Sequence, residues 1–285
     1  MKIIEKKTLS DVSGIKLTQI EVASPNIAKK AQPGQFIVLM ATEKGERIPL
    51  TVVKKNKEAG TITIILQEAG FSTKLIGSLN AGDSLYALTG PLGHATEIKN
   101  FGRVILVGGG VGIAEIYPVA KSLKEIGNHV TTIIGARTKE VLILEEELKS
   151  TSDDFFITTD DGSYERKGFT TDVLKELLSK DKYNVVYAVG PIPMMERVSY
   201  VSKEFNVHTL ASLNALMVDG TGMCGCCRVT VDGKTKFACI DGPEFDAHLV
   251  DWDELKKRNS VYTDKEKHIC KLEEATKNAK NSKDS

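Results

Sequence analysis

Arg103-Val-Ile-Leu-Val107, running straight into Gly108-Gly-Gly-Val-Gly112, is the stretch on which the fold turns. Four apolar residues in succession suit a strand buried on both faces, the mark of a parallel sheet covered by helices. The glycines turn the chain, and Ile113, Ile116, Ala120 and Leu123 then recur near one face of a helix. Pro118 fits if that helix begins only shortly before it, because the first turn needs no intrahelical donors. Further strands are expected at 129–134, 155–158 and 184–189. Helical segments lie between them near 142–148, 172–178 and 193–205. Strand and helix alternate, which predicts a parallel sheet with crossover helices over 99–212.

Upstream the pattern differs. Ile15-Lys-Leu-Thr-Gln-Ile-Glu-Val22 alternates with period two, and Phe36-Ile-Val-Leu-Met40, Leu50-Thr-Val-Val53 and Thr61-Ile-Thr-Ile-Ile-Leu66 are short β-branched runs. Turn residues separate them at Pro25-Asn26, Pro33-Gly34, Gly60 and Gly82. Residues 1–98 therefore read as a small antiparallel β-barrel. Downstream, 213–260 holds four of the five cysteines in a glycine-rich setting, and 261–285 is a polar tail that contains Cys270.

Within 213–260, Asp219, Cys224, Cys227 and Cys239 follow D-x4-C-x2-C…C, against C-x4-C-x2-C…C for a plant-type [2Fe–2S] cluster. Gly220, Gly222 and Gly225 let the loop wrap such a cluster. A zinc knuckle from the same ligands is the alternative. A four-thiolate set using Cys226 is another, though adjacent side chains on extended backbone point apart. Clustered rather than dispersed cysteines argue against a secreted disulfide framework.

The glycine loop after the first α/β strand suits a phosphate, since glycines admit close backbone approach and a helix N-terminus offers free N–H groups. Gly108-x-Gly110-x-x-Ile113 lacks the third glycine of the dinucleotide fingerprint. Asp160-Asp161-Gly162 and Gly190-Pro191 follow later strands, where ligands of parallel sheets bind. Arg137 stands after the second strand and leaves NAD and NADP both open.

The chain has 285 residues, 41% of them apolar, and zero formal net charge. That balance gives no reason to expect nucleic acid as a partner. No run approaches the roughly 18 apolar residues of a membrane span. The N-terminus lacks a signal-peptide apolar region, so the expectation is a cytoplasmic protein with no membrane association.

Arg47-Ile-Pro-Leu-Thr51, Gly70-Phe-Ser-Thr73, Gly90-Pro-Leu-Gly93 and Gly108-Gly-Gly-Val-Gly112 occur in the order found in the ferredoxin–NADP reductase superfamily, which the chain resembles. The cysteine segment, with Ser212-Leu-Asn before it and Phe237-Ala-Cys-Ile-Asp-Gly-Pro after it, is similar to dihydroorotate dehydrogenase electron-transfer subunits. It is more similar still to the small subunits of electron-bifurcating, NADH-dependent reduced ferredoxin:NADP+ oxidoreductases. The resemblance implies FAD on the barrel, held by Arg47, Pro49, Leu50, Thr51, Gly70, Ser72 and Thr73. It implies NAD(H) near Gly109, Gly110, Val111, Gly112, Asp160, Asp161 and Gly190, with Arg137 beside it. It implies a [2Fe–2S] cluster on Asp219, Cys224, Cys227 and Cys239, Asp219 standing where the dihydroorotate dehydrogenase relatives carry Cys. Val189 departs from the superfamily, where a cysteine often precedes Gly-Pro.

The implied activity is hydride exchange between NAD(H) and FAD. Single electrons would pass through the cluster to or from a larger flavin/[4Fe–4S] subunit in a heterodimer that handles ferredoxin and NADP(H). No side chain need act as acid or base. The rivals are the NADH-oxidising subunit of a dihydroorotate or sulfide dehydrogenase, and a non-enzymatic flavin- or zinc-binding regulator. His94, His208, His248 and Glu145–Glu147 read as surface residues, and Trp252 as packing.

Overall fold

The computed structural model describes residues 1–12, 14–263, 265, 268 and 269, so Cys270 and most of the polar tail lie outside the described residues. Strands β1 (Ile3–Val12) and β2 (Ile15–Ala23) form a long antiparallel pair. There follow α1 (Pro25–Lys30), β3 (Phe36–Met40), β4 (Ile48–Thr51), β5 (Lys54–Asn56), β6 (Thr61–Gln67), α2 (Phe71–Ser78) and β7 (Ala87–Leu92). The strands make two antiparallel sheets, ordered β1-β2-β6-β5 and β4-β3-β7. They close around Ile20, Ile37, Leu39, Ile62, Ile64 and Leu66. This is the expected antiparallel barrel. Two short helices interrupt a stretch that reads as strands alone. Pro25 opens α1, where its fixed φ suits a first helical turn and its missing N–H is not needed.

The second sheet is built from β8 (Arg103–Gly109), α3 (Ile113–Glu125), β9 (His129–Ala136), α4 (Glu145–Ser150), β10 (Asp154–Thr159), β11 (Arg166–Lys167), α5 (Thr170–Lys180), β12 (Val185–Val189), α6 (Ile192–Glu204) and β13 (His208–Ser212). Its first six strands run parallel in the order β11-β10-β9-β8-β12-β13. Strand β8 shows why its apolar run is continuous. Val104 and Leu106 belong to one core, Ile105 and Val107 to another, and all four are fully buried. Successive side chains of a strand point to opposite faces, so both faces need apolar residues. Helix α3 starts at Ile113, which puts Pro118 inside it rather than in its first turn. The helix therefore lacks the bond that residue 118 would give to the Ala114 carbonyl.

Next come β14 (Arg228–Val231), β15 (Lys234–Phe237), β16 (Glu244–Asp246) and α7 (Trp252–Asn259). The β14–β15 hairpin turns at Asp232-Gly233, with Val231 paired to Lys234. Strand β16 then adds to the large sheet antiparallel to β13, with Ala211 opposite Phe245. The cysteine-bearing segment is thus tied to the parallel sheet by a strand. Asp251 caps α7 by accepting from Glu254 N at 2.9 Å, and buried Trp252 shares a core with Met195, Val198 and Val201 of α6. Among the described residues no helix is long and apolar enough to cross a membrane.

Candidate functional site

At the carboxyl ends of β8, β9 and β10 a cavity of about 710 Å3 opens, where ligands of parallel sheets bind. Gly109, Gly110, Val111, Arg137 and Asp160 line it. Gly110 has φ +57°, a left-handed conformation that glycine adopts without strain. Gly112 and Gly190 lie behind the lining and meet each other. A Cβ on Gly112 would fall 2.5 Å from the Val189 carbonyl oxygen and 2.8 Å from Gly190 Cα. Only glycine lets the β8–α3 turn close onto the end of β12. Asp161 points elsewhere, accepting from Ser163 N at 2.9 Å. Burial raises the pKa of Asp160, and the nearby Arg137 guanidinium opposes that rise.

The sequence did not mark Thr158, Phe169, Thr170, Met194 or Arg197, which also line the cavity. Their signal was positional: Thr158 sits at the carboxyl end of a strand, Phe169, Thr170 and Met194 at the start of a helix, and Arg197 one turn into α6. Leu17 and Gln67 line it too, and both belong to the barrel. The nucleotide-sized space is therefore bounded by both halves of the molecule.

On the barrel, every residue of β4 is only half-buried, which leaves Pro49, Leu50 and Thr51 a partly open face. Arg47 is exposed just before it. Ser72 donates to the Glu46 carboxylate, so the start of α2 is held against the loop that carries Arg47. Gly70 N donates to Thr73 Oγ1 at 3.0 Å, and Lys74 N to Gly70 O at 2.9 Å. A cationic guanidinium and a helix N-terminus placed together suit a diphosphate. The Ser72 hydroxyl serves the protein itself here.

The cysteine loop packs on this same barrel. A Cβ on Gly220 would lie 2.6 Å from Val38 and 3.3 Å from Leu92, and Gly220, Gly222 and Gly225 all have positive φ. Cys227 and Cys239 are buried with their sulfurs 3.1 Å apart, and Cys239 N approaches Cys227 Sγ at 3.5 Å. Exposed Cys224 receives the Cys226 N–H at 3.5 Å, and the Cys226 thiol turns toward Cys224. Asp219 accepts Thr221 N at 2.8 Å and Cys224 N at 2.7 Å. Those backbone bonds hold its carboxyl below the usual range.

Among the described residues these side chains do not form a closed metal-coordinating group; the thiols stand as two pairs, and Asp219 braces the loop. The donor chemistry nonetheless fits an iron–sulfur cluster. Burial, with the neighbouring Cys227 thiol, pushes Cys239 up to about 12, a cost that a bound metal charge removes by holding the thiolate. Backbone N–H groups already point at two of the sulfurs.

The other conspicuous residues have structural partners. Glu147 pairs with Lys54 of β5 at 2.8 Å, and Glu145 accepts from Tyr164 at 2.9 Å, so two residues of that accessible run also tie it to its neighbours, while Glu146 is exposed. His208 and His248 flank Asp246 at 3.6 and 3.9 Å, and His94 N donates to Gly242 O at 2.7 Å.

Comparison with known proteins agrees with this layout. Residues 214–251 match the model of the iron-sulfur cluster binding domain of dihydroorotate dehydrogenase B. Residues 106–200 match the oxidoreductase NAD-binding domain. A dihydroorotate dehydrogenase B (NAD(+)), electron transfer subunit homolog from Thermotoga maritima is 50% identical over 246 residues, covering 86% of this chain and 87% of that protein. A chain solved in work on flavin-based electron bifurcation by the NADH-dependent reduced ferredoxin-NADP oxidoreductase is 47% identical. It superposes with a TM-score of 0.88 over 93% of this chain and 95% of its own. Ferredoxin-NADP+ reductase from Plasmodium falciparum, 16% identical with a TM-score of 0.60 over 74% of this chain and 94% of its own, shares the fold.

Proposed function

The chain belongs to the family of dihydroorotate dehydrogenase B electron transfer subunits, and from that premise we propose an oxidoreductase subunit that exchanges hydride between NAD(H) and FAD and passes single electrons through a [2Fe–2S] cluster. The proposed units are a barrel over 1–98, a nucleotide domain over 99–212 and a cluster unit over 213–260. One observation carries the reading: the barrel touches both other sites. Its Leu17 and Gln67 line the nucleotide cavity, while its Val38 and Leu92 receive the cysteine loop.

The roles follow from placement. Arg47 and the start of α2 hold the FAD diphosphate, with Pro49, Leu50 and Thr51 along the ring system. The Gly109–Val111 backbone takes the NAD(H) phosphates, Gly112 and Gly190 keep that loop low, and Asp160 with Arg137 meets a ribose. Asp219, Cys224, Cys227 and Cys239 hold the cluster. When bound, flavin and cluster supply the change from a two-electron hydride to single electrons. The protein sets their positions and excludes water.

The proposed partner is a larger flavin/[4Fe–4S] subunit handling ferredoxin and NADP(H), as the likeness to the bifurcating oxidoreductase suggests, in the cytoplasm. The family relationship favours a dihydroorotate dehydrogenase catalytic subunit as the second reading. Purification from the native cell with mass spectrometry of the co-purified chain separates the two. The purified protein is expected to show flavin bands and a broad reddish absorption that bleach with NADH. A colourless, zinc-loaded protein would end both readings.

A further inference from the structure

Between barrel and nucleotide sheet lies a polar island with apolar walls. Glu115 comes from the first turn of α3 and Glu244 from β16, and both line one cavity of about 10 Å3. That is the lower limit for a single water. Leu106, Ile116 and Val119 wall it. Ser212 Oγ donates to Glu115 Oε2 at 3.4 Å, and Thr96 donates to Glu244 Oε1. The Thr51 hydroxyl also faces Glu115. Tyr187 lines the same space, its hydroxyl buried and without a hydrogen-bond partner among the described residues. Gly34 keeps the cavity open, since a Cβ there would stand 2.9 Å from Glu244 Oε1.

Two carboxyls in one apolar enclosure ionise together only at high cost unless a cation joins them. Among the described residues no Lys, Arg or His acts on either. Among the described residues the titratable groups facing the pair are each other and Tyr187, on which Glu97 also acts. Burial pushes Glu115 up to about 7, against the Thr51 and Ser212 hydroxyls and assisted by Glu244. Burial does the same to Glu244, against the Thr96 hydroxyl. Both residues are half-buried with their carboxyls desolvated, so the pair lies inside the protein yet near its surface.

We propose that Glu115 and Glu244 form a one-proton store that takes up, through the Thr51 hydroxyl, the proton left behind once the two electrons of a hydride from NADH have been drawn off singly. The proposal rests on the flavin reading of Thr51. Oxidation of NADH to NAD+ yields a hydride, which is two electrons and one proton. Both electrons leave singly to the partner's one-electron acceptor, so one proton remains. Thr51 passes its hydroxyl proton to the ionised carboxyl of the pair and is replenished by the one released. An O–H bond forms on Glu115, and the pair then loses the proton to solvent. In the reverse direction each transfer runs backwards.

Infrared titration and redox-difference spectra of the holoprotein, with Glu115→Gln and Glu244→Gln, test this. The wild type is expected to show a protonated-carboxyl C=O band, sensitive to D2O, with a midpoint near pH 7 that changes on reduction by NADH. Each variant should lower the remaining carboxyl's midpoint by about one pH unit, a tenfold loss of proton affinity. With ferricyanide as electron acceptor and a pH indicator, Glu115→Gln should slow proton release at least tenfold at unchanged flavin content. An absent wild-type band, or one that neither variant alters, overturns the proposal. Should both variants fail to fold, Tyr187→Phe and the wild-type band decide: a band that neither titrates near neutrality nor responds to NADH overturns it. Flavin content is read separately. A titrating band in a protein without flavin sinks the flavin reading and the store with it, whereas a flavoprotein without the band sinks the store alone.

Discussion

Asp219 accepts two backbone N–H groups with one carboxylate, so it shapes the loop that presents Cys224 whatever else it binds. Asp219→Ala should loosen that loop and cost about 1 kcal/mol for each bond lost, read as a lower unfolding midpoint. The neighbouring cysteines divide differently. Cys227 is buried against Cys239, whereas Cys226 lies nearer the surface and turns toward Cys224. Cys227→Ser should lose or badly impair the cluster, and Cys226→Ser should keep it, as read by iron content and low-temperature EPR. Unchanged spectra in Cys227→Ser would sink the ligand assignment. At Gly112 the prediction is steric. Gly112→Ala places a methyl 2.5 Å from a carbonyl oxygen, which should cost about 1–3 kcal/mol as overpacking does and weaken NADH binding in a fluorescence titration.

At the scale of elements, β16 decides how the cysteine segment is held. It is three residues long, yet it pairs with β13 and inserts Phe245 into the core shared with Trp252 and the buried cysteines. Phe245→Ala should therefore destabilise the protein by about 3–5 kcal/mol in chemical denaturation and raise the rate of cluster loss. A variant of wild-type stability would show that the hairpin and α7 hold the segment without it. Helix α3 carries the opposite lesson. Its apolar face was readable, but Glu115 stands within that helix facing Thr51 and Ser212, and periodicity alone treats such a residue as solvated.

Across the whole molecule, the Glu115–Glu244 pair ties stability to pH. Both carboxyls are raised to about 7 by burial, Glu115 with help from Glu244, while in the unfolded chain they titrate near the ordinary glutamate value of about 4.3. Their folded-state contribution is complete below that value and is lost as pH rises from there through about 7. Thermal midpoints of the apoprotein should fall over that range and then level, and Glu115→Gln or Glu244→Gln should flatten the fall. An equally steep fall in both variants would place the titration elsewhere. The sequence by itself determined the two sheet types, because period-two alternation and a doubly buried apolar run are local consequences of which faces each strand covers. It also determined the cluster of ligand-type residues, because the cysteines are near neighbours along the chain. Only the tertiary structure decided what meets across the halves: barrel residues Leu17 and Gln67 on the nucleotide cavity, Gly220 on Val38, and Glu115 beside Glu244. Those contacts join residues far apart in the chain, and their chemistry arises from desolvation, which no single segment of sequence carries.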